Sequence, residues 1–275
     1  METIITLTTD FGLTDAYVAA MKGVLVSVNP RVKLIDICHA IPPRNINQAG
    51  FVLSTAYPFF PERTIHLVVV DPGVGTERRA IILRTPMADF IAPDNGVLSY
   101  VISSLTRTLP EVVNRQIELG PELEAVAITR PEFWRSPVSP TFHGRDIFAP
   151  VAARLSLGCS PADFGETITS VTMLPLSFPC RVSDGSIVGQ VLHIDSFGNL
   201  ITNIHYGDLP EPEAAIIVDI GNHVIKGLNR TYAEGEGLLA LIGSSGYLEV
   251  ALNSGSARNW LDAGIGSEVR ARTGR

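Results

Sequence analysis

HLVVVDPGVGTERRAIILR, residues 66–84, contains the clearest indication of fold class in this chain. Its aliphatic run from Leu67 to Val70 is typical of a strand that is buried on both faces. The run stops at Asp71, and a turn with two glycines follows before Arg78 and Arg79 begin the next strand. A carboxylate at the carboxyl end of a buried strand is a common ligand contact in open α/β sheets. The stretch alone is equally compatible with a surface ion pair, so both interpretations stay open at this point.

Composition narrows the class of protein. The 275 residues are 45% hydrophobic and 18% charged, which is typical of a compact folded chain and argues against disorder. A net charge of −7 argues against nucleic acid or an anionic membrane surface as a partner. The three cysteines lack CxxC spacing, so neither a disulfide framework nor a cysteine zinc site is predicted. We expect a cytoplasmic protein, because neither a signal peptide nor an apolar run of ~20 residues is recognisable.

Strand and helix patterns alternate through the first part of the chain. The patterns predict an α/β N-terminal domain with a largely parallel, helix-covered sheet. Asp10 ends the first strand, Thr14 is the expected N-cap of the first helix, and Asp15 falls in its first turn. The predicted strands cover residues 4–9, 33–37, 64–70, 80–83 and 89–92, and the predicted helices cover 14–28, 46–57 and 97–105.

The second part of the chain has a different character. Residues 106–140 show weak periodicity and are predicted to be an irregular excursion with one short helix. A helical pattern follows through Ile147, Val151 and Leu155, and a stretch rich in Pro, Ser and Thr then indicates a domain boundary. We place the larger domain at 1–170, the linker at 171–183 and a smaller β-barrel domain at 184–275. Its predicted strands cover 187–194, 200–204, 214–218, 238–242 and 247–252, with a helix at 257–261.

Few residues are arranged for catalysis on pattern alone. His143 is the exception among the six histidines, since it stands at a loop-to-helix junction beside Gly144. His66, in the buried strand, is expected to be structural. No metal-ligand spacing and no G-x-S-x-G elbow occur, and the glycine turn at 73–76 lacks the lysine of a phosphate loop. Asp10 could hold ribose hydroxyls from its strand end.

Several motifs together resemble one family. They are TTDFGLTDAYVAAMKG (8–23), VVDPGVGTERR (69–79), APDNGVL (92–98), FHGRDIFAP (142–150), IDSFGNLITNI (194–204) and SGYLEVALN (245–253). In this order they resemble the S-adenosyl-L-methionine (SAM) hydroxide adenosyltransferases. These adenosine-forming SAM hydrolases are related to the fluorinase and chlorinase enzymes. The resemblance spans nearly the whole chain.

The resemblance implies an α/β domain followed by a β-barrel domain in a homotrimer. It implies that SAM is the substrate, that no cofactor or metal is needed, and that the barrel domain completes a neighbouring subunit's site. An Asp-Arg-His set that holds a water or hydroxide would be Asp71, Arg78 and His143. The implied substrate contacts are Asp10 for the ribose, Asp15 and Asp195 for the methionine amino group, Phe197 and Asn199 for adenine, and Ser244 and Tyr247 for the methionine carboxylate.

Departures from the halogenating relatives indicate the subclass. Those relatives have tyrosine where this chain has Asp71, and the fluorinase has a halide-binding serine where this chain has Gly144. The fluorinase also has arginine at the position of Ser245, so the carboxylate contacts are less defined here than the ribose site. The alternatives are a halide-using SAM adenosyltransferase, a SAM- or adenosine-binding protein without turnover, and a metal-dependent hydrolase. Whether Asp71 or His143 takes the proton stays open.

Overall fold

A computed structural model describes residues 3–106, 115–210 and 216–274. The chain forms two compact units, Met1–Pro175 and Leu176–Arg275. In the first unit the strands are β1 Ile4–Thr9, β2 Lys33–Cys38, β3 Thr64–Val69, β4 Ala80–Arg84, β5 Ala88–Pro93, β6 Gln116–Glu118, β7 Glu124–Ile128, β8 Gly165–Ile168 and β9 Ser170–Thr172. Its α-helices are α1 Tyr17–Val28, α2 Ile46–Ala56, α3 Ser99–Leu105 and α4 Ala149–Ser156.

The sheet of the first unit is mixed. Its order is β2-β1-β3-β5-β4-β7-β8. The pairs β1–β2, β1–β3 and β3–β5 are parallel, whereas β4–β5, β4–β7 and β7–β8 are antiparallel. The predicted α/β class is confirmed, but the sheet is parallel only in its first half. The physical reason is the short connection between β4 and β5, which is long enough for a hairpin but not for a parallel crossover.

The first unit differs from the sequence predictions at two further places. The predicted excursion at 106–140 contains β7, which is a strand of the main sheet; residues 107–114 lie outside the described ranges. Helix α1 begins only at Tyr17, so Thr14 is not its N-cap and Asp15 is not in its first turn. The later start follows from Gly12, whose N–H bonds to the carbonyl of His39 at 2.8 Å and keeps the chain in a turn.

β3 lies at the centre of the parallel half and is buried along its whole length, as its aliphatic run predicts. An apolar cluster joins Leu7, Leu67 and Val69 of the sheet to Met21 of α1 and Val151 of α4. These contacts place α1 and α4 against one face of the sheet. The cluster holds the carboxyl ends of β1 and β3 side by side, which is where Asp10 and Asp71 follow.

His66 is a buried structural side chain on the opposite face of β3, as predicted. One ring nitrogen contacts the Thr6 hydroxyl at 2.8 Å, and the ring stacks on Phe90 at 5.0 Å. Burial lowers the pKa of His66 to about 4, because the charged imidazolium would lose its hydration there.

The low pKa of His66 predicts a loss of stability in acid. His66 binds a proton near pH 6.5 in the unfolded chain but only near pH 4 in the folded chain. The contribution of neutral His66 to folding stability is therefore complete above pH 6.5 and is lost as pH falls towards 4. The loss is about 2 to 3 kcal/mol of unfolding free energy. Urea unfolding of wild type and His66→Gln at pH 7 and 4.5 measures this loss. All other titrating groups are the same in the two proteins, so the difference between their pH dependences comes from His66. An equal pH dependence in both proteins would contradict it.

The second unit is an antiparallel, barrel-like sheet. Its strands are β10 Cys180–Arg181, β11 Ile187–Ile194, β12 Leu200–His205, β13 Ile216–Ile220, β14 His223–Lys226, β15 Leu238–Ile242, β16 Tyr247–Leu252 and β17 Glu268–Thr273, and α5 is Ala257–Leu261. The main order is β14-β13-β17-β11-β12-β16-β15. After β14, the Asn229 N–H bonds to the Ala240 carbonyl of β15 at 2.8 Å, so the sheet nearly closes. The predicted barrel character is confirmed, although β10, β14 and β17 were not predicted.

Within residues 3–106, 115–210 and 216–274, no helix combines the length and apolar character needed to cross a membrane.

Candidate active site

The ends of β1 and β3 open into a cavity of the first unit. Its volume is about 550 Å³, which lies in the usual range for small-molecule sites of roughly 300–1,000 Å³. The cavity is lined by Asp10 from the end of β1, by Asp71 from the end of β3, and by Thr141 to Gly144 from the segment before α4. Three of the residues singled out from the sequence, Asp10, Asp71 and His143, therefore share one cavity.

Asp71 and Arg78 form a nearly buried ion pair. Arg78 Nε donates to Oδ1 at 2.9 Å and to Oδ2 at 3.0 Å, and Arg78 Nη2 also donates to Oδ2. The Asp71 side chain is 5% exposed and that of Arg78 is 11% exposed. Charges this buried require a partner, because an unpaired one would bear the full cost of desolvation.

Arg79 faces a different set of groups. Its Nε donates to Asp94 Oδ2 at 2.8 Å and its Nη2 to the Ser170 carbonyl at 3.0 Å. These bonds connect the start of β4 to the strand β9. Arg79 thus has a structural position, and Arg78, the arginine in the set that the family resemblance implies, is the one that returns to Asp71.

Two successive β-turns bring Arg78 back to Asp71. The Val74 N–H bonds to the Asp71 carbonyl at 3.2 Å and the Thr76 N–H to the Gly73 carbonyl at 3.1 Å. Gly75 has a φ of +78°, which costs little only for glycine. A Cβ on Gly75 would also overlap the carbonyl oxygen of Pro140. The glycine therefore allows the turn to pack against the segment that leads to His143.

His143 accepts a hydrogen bond from the same arginine. Arg78 Nη2 lies 2.9 Å from His143 Nδ1, and since a guanidinium has no acceptor, Nδ1 must be the unprotonated nitrogen. Burial lowers the pKa of His143, and the charge of Arg78 lowers it further, against smaller raising effects of Asp71 and Asp146. The ring is therefore neutral near pH 7, with its proton on Nε2.

Asp146 fixes the segment that carries His143. Its fully buried carboxylate accepts two bonds from Arg145 at 2.7 Å and one from the Ser139 N–H at 2.9 Å. Burial by itself would raise the pKa of Asp146, but these bonds and the positive charges of Arg145 and Arg135 lower it overall. Gly144–Phe148 forms a single π-helical turn that runs into α4. Such turns are frequent at functional sites, but the sequence pattern indicated only a regular helix here.

The neutral state of His143 predicts where kcat/KM falls at acid pH. Protonation of Nδ1 would replace the hydrogen bond from Arg78 with repulsion between two cations, so we expect activity to require the neutral ring. Because the pKa of His143 is lowered, we expect the acid limb of kcat/KM below pH 6.5. Initial rates between pH 5 and 9 measure it. An acid limb above pH 6.5 that disappears in His143→Gln would contradict this assignment.

Of the two aspartates at the first helix, only Asp10 lines the cavity. Its Oδ2 accepts the backbone N–H of Arg44 at 2.8 Å, which leaves the other oxygen for a ligand. Asp15 is exposed and is not among the residues that line the cavity.

Sequence reasoning missed an aromatic wall of this cavity, formed by Phe11, Tyr17 and Phe142. Tyr17 is the first residue of α1 and is 49% exposed. The available signal was position, because all three residues lie within motifs quoted for the family resemblance, at 8–23 and 142–150.

The remaining predicted site residues belong to the second unit. Asp195 organises one loop there: its Oδ1 accepts the N–H groups of Phe197 and Asn199, and its Oδ2 accepts the Asn199 side-chain amide, all at 2.9 Å. Phe197 is 75% exposed in this loop. Ser244 lies in the connection between β15 and β16, and Tyr247 is the first residue of β16. Their roles in binding stay predictions.

In the described part of the chain, no three His, Cys, Asp or Glu side chains are grouped so as to hold a metal ion.

Comparison with known proteins places the chain in a family. The model for the SAM hydroxide adenosyltransferase N-terminal domain matches residues 5–165, and the model for the C-terminal domain matches residues 189–270. The chain belongs to the SAM hydroxide adenosyltransferase family. The cavity with Asp10, Asp71 and His143 lies wholly in the N-terminal domain of this family.

Individual relatives cover nearly the whole chain. The (R)-S-adenosyl-L-methionine hydrolase of Salinispora tropica is 38% identical, over 98% of this chain and 98% of that protein. The protein of the same name from Thermus thermophilus is also 38% identical, over 95% and 96%. A crystal structure of an uncharacterized conserved protein from Thermotoga maritima superposes with a TM-score of 0.85 at 34% identity, over 98% and 99% of the two chains.

Proposed function

We propose that this protein is an enzyme that hydrolyses S-adenosyl-L-methionine to adenosine and L-methionine. The observation that carries the proposal is the hydrogen-bonded set of Asp71, Arg78 and His143, of which Asp71 and His143 line a cavity of about 550 Å³. Family membership supports it, because relatives aligned over nearly the whole chain are named (R)-S-adenosyl-L-methionine hydrolase.

The reaction is an in-line displacement at C5′ of the ribose. A water oxygen forms a bond to C5′ while the C5′–S bond breaks. The electron pair of the C5′–S bond goes to sulfur. The sulfonium becomes the neutral thioether of methionine, so the leaving group needs neither a proton nor a metal. The enzyme has to hold and deprotonate a water in line with the C5′–S bond. Positioning of this kind can lower the barrier by about 7–11 kcal/mol.

The hydrogen bonds favour Asp71 as the proton acceptor. His143 Nδ1 is taken by Arg78 and its Nε2 carries the proton, so the neutral ring can donate to a water but cannot accept from it. Asp71 Oδ1 accepts one bond from Arg78 and keeps a second acceptor site. Arg78 accordingly orients both groups, and the proton leaves the water for Asp71.

The carboxylate of Asp71 also favours water over halide. A negative charge in the cavity repels a halide ion, whereas it attracts the protons of water. If the protein were instead a halide-using adenosyltransferase, incubation with SAM in high chloride would yield 5′-chloroadenosine.

Water labelled with oxygen-18 provides the decisive test. Purified protein is incubated with SAM in labelled water, and the nucleoside is analysed by mass spectrometry. Adenosine that carries one oxygen-18 supports attack at C5′. Binding of SAM by calorimetry, without any product after long incubation, would replace the proposal with a non-catalytic SAM-binding protein. Loss of activity with EDTA would favour a metal-dependent hydrolase instead.

The stereochemistry of the sulfonium belongs to the same proposal. The names of the relatives specify the (R) configuration, and we extend this preference to the present chain. A mixture of the two sulfonium epimers is incubated with the enzyme, and each epimer is followed by chromatography. Faster consumption of the (S) epimer would reject the preference while leaving the hydrolase assignment intact.

We also propose a homotrimer in which the second unit of one subunit completes the site of a neighbour. The resemblance to the family supports this arrangement, and it would give Asp195, Phe197, Asn199, Ser244 and Tyr247 their substrate contacts. Light scattering after size-exclusion chromatography measures the assembly, and a monomeric mass with full activity would contradict it.

A further inference from the structure

We propose that Phe11, Tyr17 and Phe142 form an aromatic cage that recognises the sulfonium cation of the substrate. The inference rests on the proposed function, and it assigns a role to three residues of the same cavity. The ring centroids are 5.7 Å apart for Phe11–Tyr17, 5.8 Å for Phe11–Phe142 and 5.3 Å for Tyr17–Phe142.

The rings are mutually inclined. Phe142 is nearly perpendicular to the other two, at 80° to Phe11 and 87° to Tyr17, and the Phe11 and Tyr17 rings meet at 53°. All three line the cavity that also contains Asp10 and Asp71. Rings set at steep angles around one space can surround a single cation, which is how aromatic cages bind quaternary ammonium groups.

Charge in the cavity supports a cation as the ligand of these rings. The carboxylate of Asp10 lines the same cavity and accepts the neutral backbone N–H of Arg44, so its negative charge attracts a cation. The Arg145 guanidinium lies 5.0 Å from the Phe142 centroid and occupies that ring from one side. Among the described residues, no cation lies over the Phe11 or Tyr17 ring. These two rings are therefore available to a cationic ligand.

The chemistry of the reaction gives the cage a purpose. The sulfonium is the only group of the substrate that loses its charge when the C5′–S bond breaks. Neither adenosine nor the thioether of methionine carries that positive charge. A cage of π-systems therefore binds the substrate more tightly than either product. It also distinguishes the substrate from S-adenosyl-L-homocysteine, which has the same shape without the methyl group and the charge.

Two stable ligands allow this preference to be measured without turnover. One is the analogue of SAM in which a methylammonium replaces the sulfonium, and the other is the uncharged S-adenosyl-L-homocysteine. Calorimetry gives the ratio of their Kd values for wild type, Tyr17→Leu and Tyr17→Phe. Tyr17 is half-exposed, so neither substitution removes core packing. Leucine removes the π-system, whereas phenylalanine keeps it and removes only the hydroxyl.

We expect wild type and Tyr17→Phe to prefer the cationic ligand equally, and Tyr17→Leu to lose about three- to tenfold of that preference. An unchanged ratio in Tyr17→Leu, with both ligands still bound, would overturn the cage alone. A loss of preference in Tyr17→Phe equal to that in Tyr17→Leu would assign the effect to the hydroxyl and also overturn it. Failure of wild type to bind either ligand would overturn the proposed function together with the cage.

Discussion

Asp71→Asn is expected to reduce kcat for adenosine formation by about 10²–10⁴-fold, the usual contribution of a general base. The amide can accept neither the proton of the water nor the full set of bonds from Arg78. Product is quantified by liquid chromatography of the nucleoside under saturating SAM. Substrate binding should persist, since Asp10 and the aromatic wall are unchanged.

Asp89→Asn is the matched control for this variant. Asp89 forms a two-point ion pair with Arg84, at 2.8 Å and 2.9 Å, in the same sheet but away from the cavity. Asp89→Asn breaks this pair and so measures how far the loss of any Asp–Arg pair in this unit changes activity and stability. Thermal melts of both variants show whether the fold is retained. Turnover near wild type in Asp71→Asn, or an equal loss in Asp89→Asn, would contradict the role of Asp71.

Gly75→Ala should lower both activity and stability. The φ of +78° would cost an alanine about 1–2 kcal/mol, and its Cβ would push against the Pro140 carbonyl. The push acts on the segment before His143, and a shift of about 1 Å in such a group can cost about 10²-fold in rate. We therefore expect kcat/KM to fall by about two orders of magnitude. Steady-state kinetics and a thermal melt measure the two effects.

Gly73→Ala provides the comparison two residues away. Its φ is not in the left-handed region, and the nearest atoms to an added Cβ would be Arg78 Cγ and Thr76 Oγ1, each at 3.4 Å, which is ordinary contact. This variant should keep most of the activity. If both glycine variants behaved alike, the close approach to Pro140 would not be what positions His143.

The pattern of apolar residues along the sequence predicted the features of the fold that depend on which residues are buried. The aliphatic run before Asp71 predicted a strand buried on both faces, and the short β-type runs after residue 184 predicted a β-barrel domain. Both follow from the period of apolar residues, which reports which faces are covered. The sequence pattern did not predict the first residue of α1 correctly. The helix starts later because of a hydrogen bond between Gly12 and His39, and these residues are distant in sequence.

The sequence by itself determined the α/β class, the strand-end position of Asp71 and, through its motifs, the family. Tertiary structure alone decided the mixed character of the sheet, the contact of Arg78 with His143, and the inclusion of Tyr17 in the cavity. Arg78 and His143 are 65 residues apart, and no local period encodes which side chains such distant segments bring together. The protonated nitrogen of His143 follows from that contact, so it too became readable only in the folded chain.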